Sequence, residues 1–299
     1  MTPAGVATPG PIVASTVTTT LRTASERLGR AGIATARQDA EALLARALGT
    51  TRLGLYTTGR VPVPQAALAA FEALVARRAR HEPLQYLLGE AEFCGIVIEV
   101  GPGVFIPRPE TEALVDRALA LGPSDVATVL DLCAGSGAIA CALGRRRPEW
   151  TVWAVERTAP AADCARANVR RLGLEGRVRV LEGDLFGPLG GRVPAGAVDL
   201  VVANPPYLAA PILPTLSVEV RDWEPRTALD GGADGLDVIR RLLDAAPDWL
   251  RSEGGLLVEI GEEQGPAARA LVRADGRYAE ARVHRDFRGC ERVLEAWRR

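Results

Sequence analysis

Asn204-Pro205-Pro206-Tyr207 is the run whose residue types most clearly suggest chemistry in this chain of 299 residues. It follows Val201-Val202-Ala203, an apolar stretch that reads as a buried strand. The two prolines fix φ and remove two backbone donors, leaving their carbonyls as acceptors in a rigid arc. The Asn204 side-chain oxygen is a further acceptor, and Tyr207 adds a flat face. Such an arc suits a planar NH2 group. Its two N–H bonds go to the Asn204 oxygen and the Pro205 carbonyl, while Tyr207 stacks on the π system. A stiff Pro-Pro turn with Asn204 bonded locally is the plainer alternative. Placement at the carboxyl end of a strand, beside a second motif, favours the functional one.

The second motif is Asp131-Leu132-Cys133-Ala134-Gly135-Ser136-Gly137-Ala138, which leaves one predicted strand and enters a predicted helix. Its glycines let the backbone turn sharply and approach a ligand, although a tight turn alone also needs them. Glu156, 19 residues beyond Gly137, ends the next predicted strand and can accept both hydroxyls of a ribose. The third glycine of a dinucleotide fingerprint is replaced by Ala140. That points away from a pyrophosphate and toward a nucleoside without phosphates, for which S-adenosylmethionine is the candidate. Asp184, in Gly183-Asp184-Leu185-Phe186, is placed to accept from an adenine amino group or to cap a helix. The residues expected at the cofactor are thus Asp131, Cys133, Ala134, Gly135, Ser136, Gly137, Glu156, Asp184 and Leu185, with Asn204 at the junction with the substrate.

The rest of the composition narrows the chemistry. All 36 basic residues are Arg, against 37 acidic ones, for a net charge of −1. Without Lys there is no Schiff base and no P-loop. His81 and His284 have no Cys or His neighbours at ligand spacing, so no metal site is expected. The near-zero charge argues against a dedicated nucleic-acid binder. The five cysteines form no CxxC pair and read as reduced, cytoplasmic thiols. No apolar run reaches the roughly 18 residues that would span a bilayer.

These groups need a scaffold, and the hydrophobic pattern supplies one. Residues 1–17 read as a disordered tail and 18–88 as a small helical domain. In the latter, Ala40, Leu43, Leu44 and Leu48 share one face, and Leu68, Phe71, Leu74 and Val75 another. Arg77, Arg78 and Arg80 at the end of the second helix suit its negative dipole end. Residues 89–109 read as a linker and hairpin. Over 110–299, strands near 129–132, 152–155, 178–181, 200–203 and 256–260 alternate with helices near 138–145, 160–172, 237–250 and 266–273. Segments 278–283 and 292–296 close the pattern as a hairpin. Alternation of this kind implies an α/β fold with a doubly wound sheet, preceded by the helical domain.

With the tetrad and the cofactor loop in hand, the chain resembles the protein-(glutamine-N5) methyltransferases that act on peptide chain release factors, the PrmC or HemK family. The similarity runs through Glu82-Pro83-Leu84-Gln85-Tyr86-Leu87-Leu88-Gly89 with Glu92-Phe93, and Phe105-Ile106-Pro107-Arg108-Pro109-Glu110-Thr111-Glu112. It continues in Glu224-Pro225 with Ala228-Leu229, and in Gly231-Gly232-Ala233-Asp234-Gly235-Leu236-Asp237. Glu259-Ile260-Gly261 with Gln264, and Asp286-Phe287-Arg288-Gly289, complete it. The family often has Gly where this chain has Cys133 and Asp where it has Glu156. Glu156 keeps the carboxylate, and Cys133 reads as a modest change in a loop not bound to positive φ throughout.

The resemblance implies that the doubly wound sheet is of the Rossmann-like, S-adenosylmethionine-dependent methyltransferase type, and that it transfers the methyl of S-adenosylmethionine to the side-chain nitrogen of the Gln in a Gly-Gly-Gln tripeptide of class I release factors. Asn204, Pro205 and Tyr207 would carry the chemistry, with Pro206 completing the substrate arc. Phe105 would pack against the cofactor, and Arg108 and Glu110 would shape the covering loop. The helical domain would read the folded release factor, and nothing demands more than a monomer. Two other readings remain at this point. One is methylation of an exocyclic amino group of a DNA or RNA base, which needs base extrusion and a basic channel; residues 1–100 hold only 10 Arg against 8 acids. The other is a scaffold that binds S-adenosylmethionine without turnover.

Overall fold

The structure, a computed structural model, describes residues 15–123 and 125–299. They form two compact units, divided between Leu88 and Gly89. The tail expected over 1–17 lies outside the described residues as far as residue 14. Of the remainder, Thr16 accepts from Thr19 N as an N-cap and Val17 already belongs to the first helix.

In the first unit, α1 (Val17–Arg30), α2 (Ala36–Leu48), α3 (Arg52–Thr57), α4 (Gln65–Arg78) and α5 (Leu84–Leu88) enclose a core of Leu21, Leu28, Leu43, Leu44, Phe71 and Val75. The arginines ending α4 are structural: Arg78 Nε lies 2.7 Å from the buried Asp39, and Arg77 forms a two-point pair with Glu82.

The second unit begins with the hairpin β1 (Glu90–Phe93) and β2 (Ile96–Glu99). Residues expected as a linker therefore pack with the helices of the second unit. Glu99 N donates to Asn168 Oδ1 at 2.7 Å, and Asn168 Nδ2 returns a bond to Glu99 O. There follow α6 (Glu112–Leu121), β3 (Ala127–Leu132), α7 (Ala138–Arg146), β4 (Trp150–Glu156), α8 (Ala159–Arg171) and β5 (Val178–Glu182). The chain continues through β6 (Val198–Ala203), α9 (Val218–Trp223), α10 (Asp237–Trp249), β7 (Leu250–Glu259), α11 (Gly265–Asp275), β8 (Tyr278–Arg285) and β9 (Glu291–Arg298).

The seven-stranded sheet has the order β5-β4-β3-β6-β7-β9-β8, with β9 antiparallel to its two neighbours. Strands β3 and β6 are buried on both faces, as continuous apolar runs require in a parallel sheet. The small side chains of α7, among them Ala138, Ala140, Cys141 and Ala142, are buried as well.

The register aligns the strand ends. Leu132 pairs with both Val155 and Ala203, Val155 pairs with Leu181, and Ala203 pairs with Val258. The next residue on each of four strands, Cys133, Glu156, Asn204 and Glu259, therefore stands in one row at the carboxyl edge. Winding reverses about β3, which makes this edge the crevice where a ligand binds in such sheets.

Candidate active site

A cleft of about 210 Å³ opens at that edge. Its walls include Phe105, Cys133, Ala134, Gly135, Ser136, Glu156, Asp184, Leu185 and all of Asn204-Pro205-Pro206-Tyr207. The sequence places these residues in separate motifs; the row of strand ends brings them together. Asp131 and Gly137, expected with them, are not in the wall. Asp131 is fully buried one residue back in β3, where its Oδ2 accepts Ala140 N at 2.9 Å. Burial, opposed by that bond, pushes its carboxyl up to about 8. Gly137 sits against α8, where an added Cβ would come 3.0 Å from Ala165 Cβ. Both support the loop from behind.

The loop is left-handed at three points, with φ of 59° at Cys133, 55° at Gly135 and 76° at Gly137. The expectation that Cys133 is a modest replacement for Gly is corrected here. It occupies a backbone conformation that costs a residue with a Cβ about 1–2 kcal/mol. Glu156 holds the loop in shape: Oε2 accepts Gly135 N at 2.9 Å, and Oε1 accepts both the backbone N and the hydroxyl of Thr158. Its carboxylate is thus pre-oriented at the wall, with one lone pair, on Oε2, left for a diol hydroxyl. Asp184 also faces the cleft, but Arg241 from α10 ion-pairs with its Oδ2 at 2.5 Å. An acidic diol acceptor, a positive-φ loop with exposed backbone and an apolar flank from Phe105 and Leu185 fit a nucleoside such as that of S-adenosylmethionine.

On the other side, Asn204 Nδ2 donates to Thr111 Oγ1 at 3.2 Å. That turns Oδ1 away from Thr111, and neither Oδ1 nor the Pro205 carbonyl is engaged by another group among the described residues. Tyr207 donates its hydroxyl to Glu259 Oε1 at 3.2 Å. Burial and the Glu259 charge push the Tyr207 phenol up, so it remains a donor. Glu259 is itself 1% exposed. Its carboxyl is pushed up to about 7 by burial, while Thr111, Arg292 and Tyr207 pull it back.

The segment 208–236, left unassigned by periodicity, wraps this tetrad. Gln264 Nε2 donates to the carbonyls of Tyr207 and Gly235, and Gln264 Oε1 accepts Gly261 N. Gly231 and Gly235 are required by close approach, since an added Cβ would come 2.7 Å from Pro206 O and 2.3 Å from Tyr207 O respectively. Glu224 binds the Arg108 guanidinium and accepts Ile106 N, and Arg108 lies 4.7 Å over the Phe105 ring. Glu110 pairs with Arg288 at 3.0 Å. Thr111, Glu224 and Glu259 thus brace the wall of the cleft, and the sequence reading assigned them no role. The signal for Glu259 was an acid closing a buried apolar strand, since Leu256-Leu257-Val258 precede it. Among the described residues, no cluster of His, Cys, Asp or Glu has the reach to hold a metal. No described helix is long and apolar enough to cross a membrane.

Residues 19–89 match the PrmC N-terminal domain, and residues 110–212 match the methyltransferase small domain. A release factor glutamine methyltransferase of Geobacter sulfurreducens is 43% identical over 267 residues, covering 89% of this chain and 91% of that one. A protein of the same description from Mycolicibacterium smegmatis is 43% identical over 282 residues, covering 94% and 97%. Among solved structures, a methyltransferase from Pyrococcus furiosus superimposes with a TM-score of 0.52. It is 19% identical and matches over 74% of this chain and 98% of its own, a likeness of fold alone.

Proposed function

The chain belongs to the release factor glutamine methyltransferases, and from that premise we propose how its own residues carry out the transfer. It is an S-adenosylmethionine-dependent methyltransferase acting on the glutamine of a peptide chain release factor. In the finer reading the acceptor is the side-chain nitrogen, N5, of the Gln in the Gly-Gly-Gln tripeptide of class I factors.

S-adenosylmethionine, when bound, supplies an electrophilic methyl group on a sulfonium. Glu156 would hold its ribose, the backbone of Cys133–Gly135 and Ser136 its edge, and Leu185 and Phe105 its apolar faces, with Asp184 beside the base. The substrate nitrogen is a weak nucleophile because its lone pair is delocalised into the carbonyl. Asn204 Oδ1 and the Pro205 carbonyl accept its two N–H bonds, which raises electron density on nitrogen and fixes the direction of its lone pair. Tyr207 and Pro206 hold the amide plane. Effective molarities of well-oriented groups are worth about 7–11 kcal/mol, so placement carries much of the rate. The same acceptors stabilise positive charge developing on nitrogen, as oxyanion-hole donors stabilise negative charge. The proton departs to water after transfer: the chain has no Lys, and neither His81 nor His284 lines the cleft. Within this reading the enzyme needs no metal, is monomeric and cytoplasmic, and uses its helical unit to read the folded factor rather than nucleic acid.

The observation that carries the proposal is the pair of unengaged acceptors, Asn204 Oδ1 and Pro205 O, in the row of strand ends that also holds Glu156. Radiolabelled S-adenosylmethionine is to be offered with an unmodified release factor, its Gly-Gly-Gln→Gly-Gly-Ala variant, or nucleic acid. Label is expected on the first only. Label on the Ala variant, or on nucleic acid alone, would falsify the reading. Cofactor binding with no transfer would leave a scaffold.

A further inference from the structure

We propose that Glu224 is a positioning residue that pins Arg108 beside Phe105 and cancels its charge, so that this wall of the cleft can face a cationic cofactor. The inference rests on the function proposed above, through the assignment of the cleft to S-adenosylmethionine. Among the described residues, three arginines line the cleft, Arg108, Arg157 and Arg241, against two acids, Glu156 and Asp184. Arg241 is paired with Asp184 within the lining. Arg108 takes its counter-charge from outside it. Glu224, which caps the end of α9, has a side chain only 2% exposed and meets the Arg108 guanidinium with Oε1.

A guanidinium is a flat cation with N–H groups around its edge, so it can stack and hydrogen-bond at once. Here its central carbon lies 4.7 Å over the Phe105 ring while Nη2 donates to Glu224. The second Glu224 oxygen accepts Ile106 N at 3.3 Å. One carboxylate therefore grips both a side chain and the backbone of the segment that carries Phe105. Val220, Pro225 and Leu229, on the segment around Glu224, line the same cleft, so the grip also joins two of its flanks. A buried carboxylate is stable only when it is paired and hydrogen-bonded. Burial raises the Glu224 carboxyl above its ordinary value, and Arg108 and the Ile106 amide hold it down.

The charge matters because of what the reaction does to the cofactor. S-adenosylmethionine carries a positive sulfur; S-adenosylhomocysteine, left after the methyl has gone, does not. The two are otherwise the same molecule. An unneutralised guanidinium in the lining would oppose the first and leave the second untouched, so the spent cofactor would outcompete the fresh one. Counting Glu224, the three arginines are matched by three acids.

The test measures both ligands by calorimetry on full-length wild type, Glu224→Gln and the Glu224→Gln/Arg108→Met double variant. Gln keeps the shape and an acceptor for Ile106 N but leaves Arg108 charged. In the double variant the charge is gone, and a flexible thioether side chain still packs on the Phe105 ring. In Glu224→Gln the dissociation constant of S-adenosylmethionine should rise more than that of S-adenosylhomocysteine, by roughly 3- to 10-fold, as one charge in a partly wet cleft would cause. KM for S-adenosylmethionine should rise with it, while kcat at saturation stays within about threefold. The double variant should return to the wild-type ratio of the two constants, whatever it loses in absolute affinity. A loosened loop alone would weaken both ligands equally. Equal losses in Glu224→Gln, or a double variant that keeps the shifted ratio, would overturn the proposal. A wild type that binds both ligands but leaves the release factor unlabelled removes the functional reading and leaves this comparison decisive. A wild type that binds neither ligand overturns both.

Discussion

Glu156 and Glu259 end β4 and β7 at the same level of one sheet, yet they are held in opposite ways. Glu156 is gripped by its own neighbourhood: the backbone of Gly135 and the backbone and hydroxyl of Thr158. Its bonds form as soon as the β3–α7 loop and the turn after β4 fold. Glu259 takes its hydrogen-bond partner from a distant segment, Tyr207, and its Oε2 has no hydrogen-bond partner among the described residues. On the proposed assignment, the cofactor end is thus preformed by local backbone. The substrate end is assembled from side chains that meet only in the finished fold. The difference shows where each end is vulnerable: backbone conformation on one side, side-chain identity on the other.

If that division holds, the largest single effect belongs to Asn204. Asn204→Ala removes an acceptor that no other group replaces, and losing one preorganised hydrogen-bonding group of this kind costs about 10²–10³-fold in turnover. Cofactor affinity measured by calorimetry should change only a few-fold. A collapse of cofactor binding would place Asn204 on the wrong side of the comparison. The converse variant is Glu156→Gln. Hydrogen bonds to a charged group are worth about 1.5–3 kcal/mol, so the cofactor dissociation constant should rise roughly 10- to 100-fold. Turnover at saturating cofactor should be nearly kept; a loss of turnover with unchanged affinity would break the division.

The same contrast explains what could be read in the sequence. The cofactor end was legible because its signals are local: a Gly-rich turn after one apolar run and an acid closing the next. Strands β3 to β6 were legible as short apolar runs alternating with helices. The tetrad was legible as a cluster of acceptors, but its supports were not. Glu259 acquires a role only through the register that pairs Ala203 with Val258. Thr111 acquires one only through a fold that brings it to Asn204 across 93 residues. Segment 208–236 has no periodicity because glycines approaching the tetrad backbone shape it, rather than an apolar face. Asp131 was read as a ligand because it belongs to the motif. Its position within β3 puts it behind the wall.

Asp131 sharpens the comparison from the cofactor side, because its carboxyl, buried behind the cleft wall, is raised to about 8, and that shift is read out in stability. An unfolded Asp releases its proton near pH 3.9, whereas the folded one keeps it to about 8. Across that window the folded state binds more protons, so wild-type stability declines as pH rises. Asn does not titrate. Asp131→Asn should therefore match wild type near pH 4 and become progressively more stable up to about pH 8, with a constant advantage beyond. A tenfold difference in proton affinity is about 1.4 kcal/mol. In a domain of this size that corresponds to roughly 3–6 °C of melting temperature. Thermal melts of the cofactor-free protein at pH 5 and pH 8.5 provide the check, and a difference that does not grow with pH would mean Asp131 is ionised in the fold.

The smallest effect isolates the backbone itself. Cys133 contributes a partly buried side chain packed on the core and a φ of 59°. Replacing it with Gly alone would mix lost packing with relieved strain. Comparing Cys133→Gly with Cys133→Ala removes most of the packing difference, since both lose the sulfur. At an ordinary helix or strand position Ala is the more stable of the two by about 0.5–1 kcal/mol, because Gly has more unfolded freedom to lose. In the left-handed region a Cβ costs about 1–2 kcal/mol, so the order should invert. Urea denaturation should find Cys133→Gly more stable than Cys133→Ala by up to about 1 kcal/mol. If Ala proves the better residue, the loop does not turn left-handed at Cys133, and the claim that local backbone conformation preforms the cofactor end loses its main support.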